Sequence, residues 1–152
     1  MTRTRMGRWF LPVAAWIGVI LFSSTASAGN WCTTVFHSFS TKLLGQVLSQ
    51  SSLLVLSFLA EKSVHVILFL VLGTLLWKAI TAIEGVPRKI AIILALGLLI
   101  GSVSEFLQRF FPGRDPSVRD VLINLGSTAI GVAVSLTLAR RQNRSLRAES
   151  EA

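Results

Sequence analysis

The sequence predicts an all-α protein, a multi-pass transmembrane helical bundle with four spans and a short interfacial or re-entrant segment. Of its 152 residues, 52% are hydrophobic and only 14% are charged, and the mean hydropathy is +0.66. Soluble domains carry about 25% charged residues, so a chain this poor in charge cannot cover its apolar surface in water. We therefore expect lipid to surround most of the chain.

The four predicted spans cover residues 9–28, 62–82, 87–108 and 117–139, and a basic cytoplasmic tail follows at 140–152. A helical crossing needs about 20 residues, whereas the uncharged runs 63–77 and 90–104 are shorter. The charged residues that flank these runs must therefore belong to the helix ends. Gly, Gln and Ser residues interrupt the segment 43–60, which favours a segment that lies on or dips into the membrane.

The distribution of Lys and Arg predicts that both termini are cytoplasmic. With four crossings, ten Lys and Arg residues lie inside and five lie outside, as the positive-inside rule requires. A fifth crossing at 43–60 would place the basic tail outside. A cleaved signal peptide is the alternative for the first span, because a basic start and an apolar core precede Ala26-Ser27-Ala28. Cleavage would leave three crossings in the same orientation.

Two composition features exclude other classes of protein. The net charge is +8, but the basic residues form short clusters between apolar runs rather than one face of a polar domain, so no nucleic acid partner is expected. Cys32 is the only cysteine, which excludes an internal disulfide and a Cys-rich metal site. No metal and no cofactor are predicted.

Polar side chains that a membrane span does not need are predicted to meet at the outer ends of three helices. Helical spacing places Lys62 with His65, Glu105 with Gln108, and Asp120 with Asn124, each pair on one helix face. Together these faces can line one shallow polar pocket. The proposed ligand-binding residues are Lys62, His65, Glu105, Gln108, Arg114, Asp120 and Asn124, with Glu61, Asp115, Ser117 and Arg119 beside them.

The helix dipole separates the favourable positions from the unfavourable ones. Asp120 is expected near a helix N-terminus, and Ser117 three residues earlier completes a capping-box pattern. Lys62 near a helix N-terminus and Glu105 near a helix C-terminus are each opposed by the dipole. A Lys62 to Glu105 ion pair between neighbouring helices is the simplest resolution, in which case the pair is an interhelical clamp.

Three of these residues are also candidates for chemistry. Arg114 is expected to project from the turn formed by Phe110-Phe111-Pro112-Gly113 and suits recognition of phosphate or carboxylate, although it can equally pair with Asp115 or Glu105. Glu105 and His65 are the candidates for an acid and base pair, since polar residues at membrane depth favour a functional site. Two ligands do not make a zinc site.

Two motifs resemble those of the VanZ-like family of bacterial membrane proteins. They read Lys62-x-x-His65-x-x-x-Phe69-x-x-x-Gly73 and Glu105-x-x-Gln108-x-x-x-Pro112-Gly113-Arg114-x-x-Ser117-x-x-Asp120-x-x-x-Asn124. Phe22-Ser23-Ser24 also resembles the family and favours a retained first helix. Phe69 stands where a tyrosine is common and Ser127 where a glycine is expected, although Gly126 and Gly131 remain for close packing.

The resemblance implies an envelope protein of the bacterial inner membrane. The family takes its name from a protein linked to low-level resistance to the glycopeptide teicoplanin. Three hypotheses follow: binding of an anionic lipid or lipid-linked cell-wall precursor headgroup, an intramembrane enzyme acting on such lipids through Glu105 or His65, and a structural or assembly partner. Membrane lipids are the expected partners, and the oligomeric state stays open.

Overall fold

The computed structural model describes residues 3–25, 34–35, 38–43, 48–80, 83–112, 114 and 116–150, and their regular structure is entirely helical. Four helices follow one another in the order α1 (Arg3–Ser23), α2 (Gln50–Ala79), α3 (Val86–Gln108) and α4 (Val118–Ser150). A short helical stretch at 38–43 precedes α2. The prediction of an all-α protein is confirmed.

Three of the four helices, α2, α3 and α4, are long and apolar enough to cross a membrane. At 30, 23 and 33 residues, they extend for about 45, 35 and 50 Å. The apolar part of α1, Arg8–Ser23, is shorter. The fold is therefore a membrane helical bundle, and the prediction that all four helices span stays a prediction.

The N-terminus of α2 differs from the sequence-based prediction. The helix begins at Gln50, so residues 50–60 continue directly into the predicted span 62–82 instead of forming a separate interfacial segment. Ser49 starts it by accepting a hydrogen bond from the Ser52 backbone N–H at 3.3 Å. Serines that suggested an interruption are thus an N-cap and a first turn, where this residue type is favourable. Residues 44–47 lie outside the described residues.

The helices pack antiparallel in sequence order around a core that all four share. Phe69, Leu72 and Ile93 are fully buried in it, together with Ile20 of α1. The Trp16 indole N–H donates to the Leu68 carbonyl at 2.8 Å and attaches α1 to the middle of α2. Because the carbonyl of Leu68 belongs to a helix backbone, this bond fixes the position of α1 along the axis of α2.

Glycine allows α2 and α4 to approach at backbone distance. A Cβ added to Gly73 would collide with the Thr128 carbonyl oxygen, and one added to Gly131 would collide with the Leu70 carbonyl oxygen. Small residues of this kind let helix backbones come close in membranes. Gly131 therefore has the packing role expected of it. Gly126 does not, because a Cβ there meets nothing within 4 Å.

Tryptophans and basic residues mark one end of the bundle, which we call the tryptophan end. Lys78 Nζ lies 5.0 Å and the Arg8 guanidinium carbon 5.9 Å from the ring centroid of Trp9. Lys89 Nζ lies 4.1 Å from the ring centroid of Trp77. Aromatic and basic side chains of this kind collect at membrane interfaces.

Phenylalanines and arginines mark the opposite end, which we call the polar end. The Phe58 ring centroid lies 5.3 Å from the Arg119 guanidinium carbon, and that of Phe106 lies 5.9 Å from the guanidinium carbon of Arg109. About twenty residues separate Phe58 from Lys78 and Lys89 from Arg109, which is about 30 Å of helix and matches the thickness of a hydrocarbon core.

Candidate functional site

The proposed ligand-binding residues are brought together at the polar end. There the C-terminal ends of α1 and α3 meet the first turns of α4 and the middle of α2. We call this set the polar cluster, and its members are Glu61, Lys62, His65, Glu105, Gln108, Arg114, Asp120 and Asn124. The predicted convergence on one site is therefore seen in the structure. The side chains face the interior of the bundle, however, rather than an open pocket.

Lys62 pairs with Asp120. Its Nζ lies 2.6 Å from the Asp120 Oδ2, and the two side chains are only 16% and 5% exposed. The predicted Lys62 to Glu105 pair is therefore wrong, although the clamp it was meant to provide exists between α2 and α4. The prediction placed Lys62 at a helix N-terminus. Because α2 begins at Gln50, Lys62 lies more than three turns inside, beyond the reach of the terminal dipole.

Glu105 caps the start of α4. Its Oε2 accepts the Ser117 backbone N–H at 3.2 Å, and its Oε1 accepts the Gln108 side-chain amide at 3.1 Å. This carboxylate lies near the unfavourable end of α3 but at the favourable N-terminal end of α4. The N-terminus of α4 therefore stabilises the negative charge of Glu105, whereas the sequence analysis expected a cation to do so.

The capping box at Ser117 is formed in half. Ser117 Oγ accepts the Arg119 backbone N–H at 3.2 Å, as an N-cap side chain should. The reciprocal bond to the Ser117 backbone N–H comes from Glu105, while the Asp120 carboxylate is used by Lys62. Glu105 therefore caps the helix, and Asp120 forms the ion pair between helices.

Arg114 is buried and paired, so the expectation that it projects from the turn is wrong. Its Nη1 donates to Glu61 Oε1 at 3.1 Å, and its Nη2 donates to the Ser23 carbonyl at 3.3 Å. The Arg114 side chain is 8% exposed and that of Glu61 is 34% exposed. The predicted alternatives were Glu105, which the structure assigns to other donors, and Asp115, which lies outside the described residues.

His65 and Asn124 form a buried pair between α2 and α4. His65 Nδ1 lies 3.3 Å from Asn124 Oδ1, and Asn124 is completely buried. The imidazole therefore has an amide partner rather than Glu105, its proposed acid and base partner. No hydrogen bond links Glu105 and His65 within the described residues, so the catalytic assignment stays a hypothesis.

Three buried polar atoms of the cluster lack a hydrogen-bond partner among the described residues. They are the Arg114 Nε, the Asp120 Oδ1 and the Asn124 Nδ2. A buried donor or acceptor without a partner costs about 1 to 3 kcal/mol, so native proteins rarely keep several in one place. Three such atoms therefore set the polar cluster apart from an ordinary helix contact among the described residues.

Helix α1 supplies residues that the sequence analysis did not place in the site. Ser24 Oγ lies 2.6 Å from Ser104 Oγ, and both serines are buried. The Ser23 carbonyl accepts a hydrogen bond from Arg114, the same side chain that pairs with Glu61. Ser23 and Ser24 belong to the Phe22-Ser23-Ser24 sequence, and Ser104 directly precedes Glu105. Their position next to the family motifs is the sequence feature from which these site residues could have been predicted. The predicted cleavage site at 26–28 lies outside the described residues.

Over the ranges that the structure describes, no group of three His, Cys, Asp or Glu side chains is arranged to hold a metal ion. Cys32 lies outside these ranges. The chemistry that the cluster offers is hydrogen bonding and charge pairing.

The fold and the cluster define a class: a small α-helical membrane protein with a buried polar site at one end of its bundle. The chain matches the family model described as VanZ/LLP1 over residues 9–139. It therefore belongs to the VanZ/LLP1 family, which confirms the resemblance seen in its motifs. Neither the curated proteins nor the solved structures gave a match to the chain.

Proposed function

We propose that the polar cluster binds the anionic headgroup of an envelope lipid or of a lipid-linked cell-wall precursor. The observation that carries the proposal is the group of three unpartnered buried atoms, Arg114 Nε, Asp120 Oδ1 and Asn124 Nδ2. They belong to three side chains that are each at least nine-tenths buried. A ligand that bonds all three removes a penalty that the free protein carries.

The donors and the acceptor suit a particular headgroup chemistry. Arg114 Nε and Asn124 Nδ2 donate, which suits the oxygens of a phosphate or carboxylate, while Asp120 Oδ1 accepts and suits a hydroxyl. A phosphate joined to a hydroxyl-bearing alcohol or sugar supplies both. Such groups occur in phospholipids and in lipid-linked sugar precursors.

The depth of the cluster also favours a headgroup. Lys62 and Glu105 each lie about one turn, or about 6 Å, inside the aromatic residues and arginines of the polar end. Phosphates of membrane lipids lie next to this boundary, where aromatic and basic side chains anchor a protein. A headgroup can therefore reach the cluster without drawing its lipid out of the bilayer.

The positive-inside rule supports one orientation of the bundle in the membrane. Most of the unpaired basic residues lie at or beyond the tryptophan end, including Lys78, Lys89 and the arginines of the α4 extension. At the polar end, Lys62 and Arg114 are neutralised by carboxylates. The proposal therefore places the polar end outside the bacterial inner membrane and both termini in the cytoplasm.

Lipid binding by purified protein tests the proposal. Wild-type protein in nanodiscs should bind phosphatidylglycerol in preference to phosphatidylcholine, as measured by native mass spectrometry, and Arg114→Ala should lose that preference. Arg109→Ala is the matched control, because Arg109 is an exposed arginine at the same end that contacts only the Phe106 ring in the described contacts. Equal preference in all three proteins would refute the headgroup site.

A structural role is the second candidate, and the pairing of charges within the cluster favours it. Lys62 with Asp120 and Arg114 with Glu61 connect α2 to α4 and to the turn before it. If the cluster only fixes helix register, cluster variants should lower stability without changing lipid binding.

Family membership also supports a link to glycopeptide resistance as part of this proposal. Expression of the wild-type chain should then raise the teicoplanin concentration that inhibits growth, and Arg114→Ala should abolish the increase. An unchanged inhibitory concentration with wild-type protein would remove the link to resistance and leave headgroup binding to be judged by the lipid experiment.

A further inference from the structure

We infer that Glu61 is an internal anion that the headgroup phosphate displaces from Arg114, an inference that rests on the proposed headgroup site. The Glu61 carboxylate occupies one terminal nitrogen of the guanidinium, at 3.1 Å, through a single hydrogen bond. Bidentate pairing, the stronger geometry for arginine, is not formed. Glu61 thus holds Arg114 by the weaker of the two arrangements.

Exposure marks Glu61 as the member of the cluster that can leave. Its side chain is 34% exposed, against 8% for Arg114 and 5% for Asp120. A carboxylate already in contact with water recovers its hydration at small cost, and exposed ion pairs contribute little to stability. Displacement of Asp120 from Lys62 would instead leave a buried charge without compensation.

Arg114 stays in place when Glu61 leaves. Its Nη2 donates to the Ser23 carbonyl of α1, on a side of the guanidinium that Glu61 does not use. The Nε has no partner among the residues that the structure describes and can take a further acceptor. A phosphate oxygen can therefore take the Nη1 position from Glu61, while Nε, which points along the other edge of the guanidinium with Nη2, is left for a separate acceptor.

Charge balance requires this exchange. The polar cluster has two cations, Lys62 and Arg114, and three carboxylates, on Glu61, Glu105 and Asp120. Adding an anionic phosphate to this excess of negative charge is opposed by repulsion in a low-dielectric setting. Release of Glu61 into water as the phosphate enters keeps the charge of the buried part nearly constant.

The ligand class that follows is an oxyanion, one oxygen of which takes the place of the Glu61 carboxylate on Arg114. A lipid phosphodiester and free phosphate both have this chemistry. The experiment therefore measures binding of two probes, phosphatidylglycerol in nanodiscs and inorganic phosphate in solution, to wild-type protein, Glu61→Gln, Glu61→Ala and Arg114→Gln. Glu84→Gln is the matched control, since Glu84 is an exposed glutamate before α3.

Glu61→Gln and Glu61→Ala should bind at least one probe about two- to fivefold more tightly than wild type, because the partly exposed Glu61 carboxylate no longer competes and ion pairs in contact with water are weak. Arg114→Gln should lose binding and Glu84→Gln should match wild type. The probe that responds identifies the source of the oxyanion. Thermal unfolding in detergent verifies that each variant is folded.

Two failures are distinguishable. If Arg114→Gln loses binding but neither Glu61 variant binds more tightly, the displacement is refuted and the headgroup site stands. If no variant, including Arg114→Gln, differs from wild type, the headgroup site itself is refuted.

Discussion

Lys62 Nζ lies 2.6 Å from Asp120 Oδ2 and connects the middle of α2 to the first turn of α4. Both side chains are largely buried, so neither charge has water to replace its partner. The removal of one member of such a pair costs about 3 to 5 kcal/mol, whereas replacement of both by apolar groups is often neutral.

Lys62→Met should therefore destabilise the protein by about 3 kcal/mol, because it strands the Asp120 carboxylate. Lys62→Met combined with Asp120→Leu should recover most of that loss. Unfolding in SDS, followed by circular dichroism, measures Lys62→Met, Asp120→Leu and the double variant. A double variant that loses as much as the two single variants together would show that the residues act independently.

Glu105→Ala should loosen the start of α4, because it removes the acceptor for the Ser117 backbone N–H. The loss of an N-terminal cap costs about 0.5 to 2 kcal/mol. Hydrogen exchange should become faster over the first turn of α4 and stay unchanged near the middle of that helix. Glu84→Gln provides the control, and equal exchange in Glu105→Ala and wild type would contradict the capping role.

The sequence was sufficient for the all-helical membrane fold and for the proposed ligand-binding side chains that meet at the polar end, but not for Ser23, Ser24 and Ser104. Apolar runs of helical length and polar residues spaced three or four apart carry that information locally. Lys62, Glu105 and Asp120 were all placed in one site, as the structure finds.

The pairing within the site could not be predicted, because it depends on helix starts and on relative height. The sequence analysis placed the start of α2 twelve residues too late, so that Lys62 was expected to lie at a helix N-terminus where the dipole opposes its charge. Glu105 was then predicted to be its ion-pair partner. The cap that Glu105 provides involves a backbone N–H, which no side-chain pattern records. Arg114 and Glu61 are 53 residues apart, and only the tertiary fold selects that pair.

Helix α1 should be retained in the mature protein. Its end supplies the Ser23 carbonyl to Arg114 and the Ser24 hydroxyl to Ser104, and the Trp16 indole bonds to the Leu68 carbonyl. The intact mass of purified protein should therefore include residues 9–25. A mass that corresponds to a chain starting after Ala28 would show that the signal-peptide interpretation is correct.

Trp16→Phe should weaken the attachment of α1 to α2 while preserving the apolar contact. Hydrogen bonds between membrane helices contribute about 0.6 to 2 kcal/mol, so a loss in that range is expected in SDS unfolding. Trp9→Phe is a suitable control, because Trp9 contributes its ring to Lys78 and Arg8. A Trp16→Phe variant as stable as wild type would contradict the bond.

The two glycines of α4 should respond in opposite ways to alanine. At Gly131 the added Cβ collides with the Leu70 carbonyl oxygen, a backbone atom that can move only if α2 and α4 separate. At Gly126 the added Cβ meets nothing within 4 Å. Alanine favours a helix over glycine by about 1 kcal/mol, so Gly126→Ala should be neutral or stabilising.

Gly131→Ala should instead destabilise the bundle by about 1 to 3 kcal/mol, the cost of forcing extra volume into a packed contact. Because both variants add one methyl group to the same helix five residues apart, helix propensity cancels in the comparison and the difference reports on the α2 to α4 contact. Unfolding midpoints in SDS measure this difference directly. If Gly131→Ala proves as stable as Gly126→Ala, the backbones of α2 and α4 are not in contact at Leu70 and Gly131. The relative position of the two helices along their axes, which brings Lys62 to Asp120, would then be contradicted.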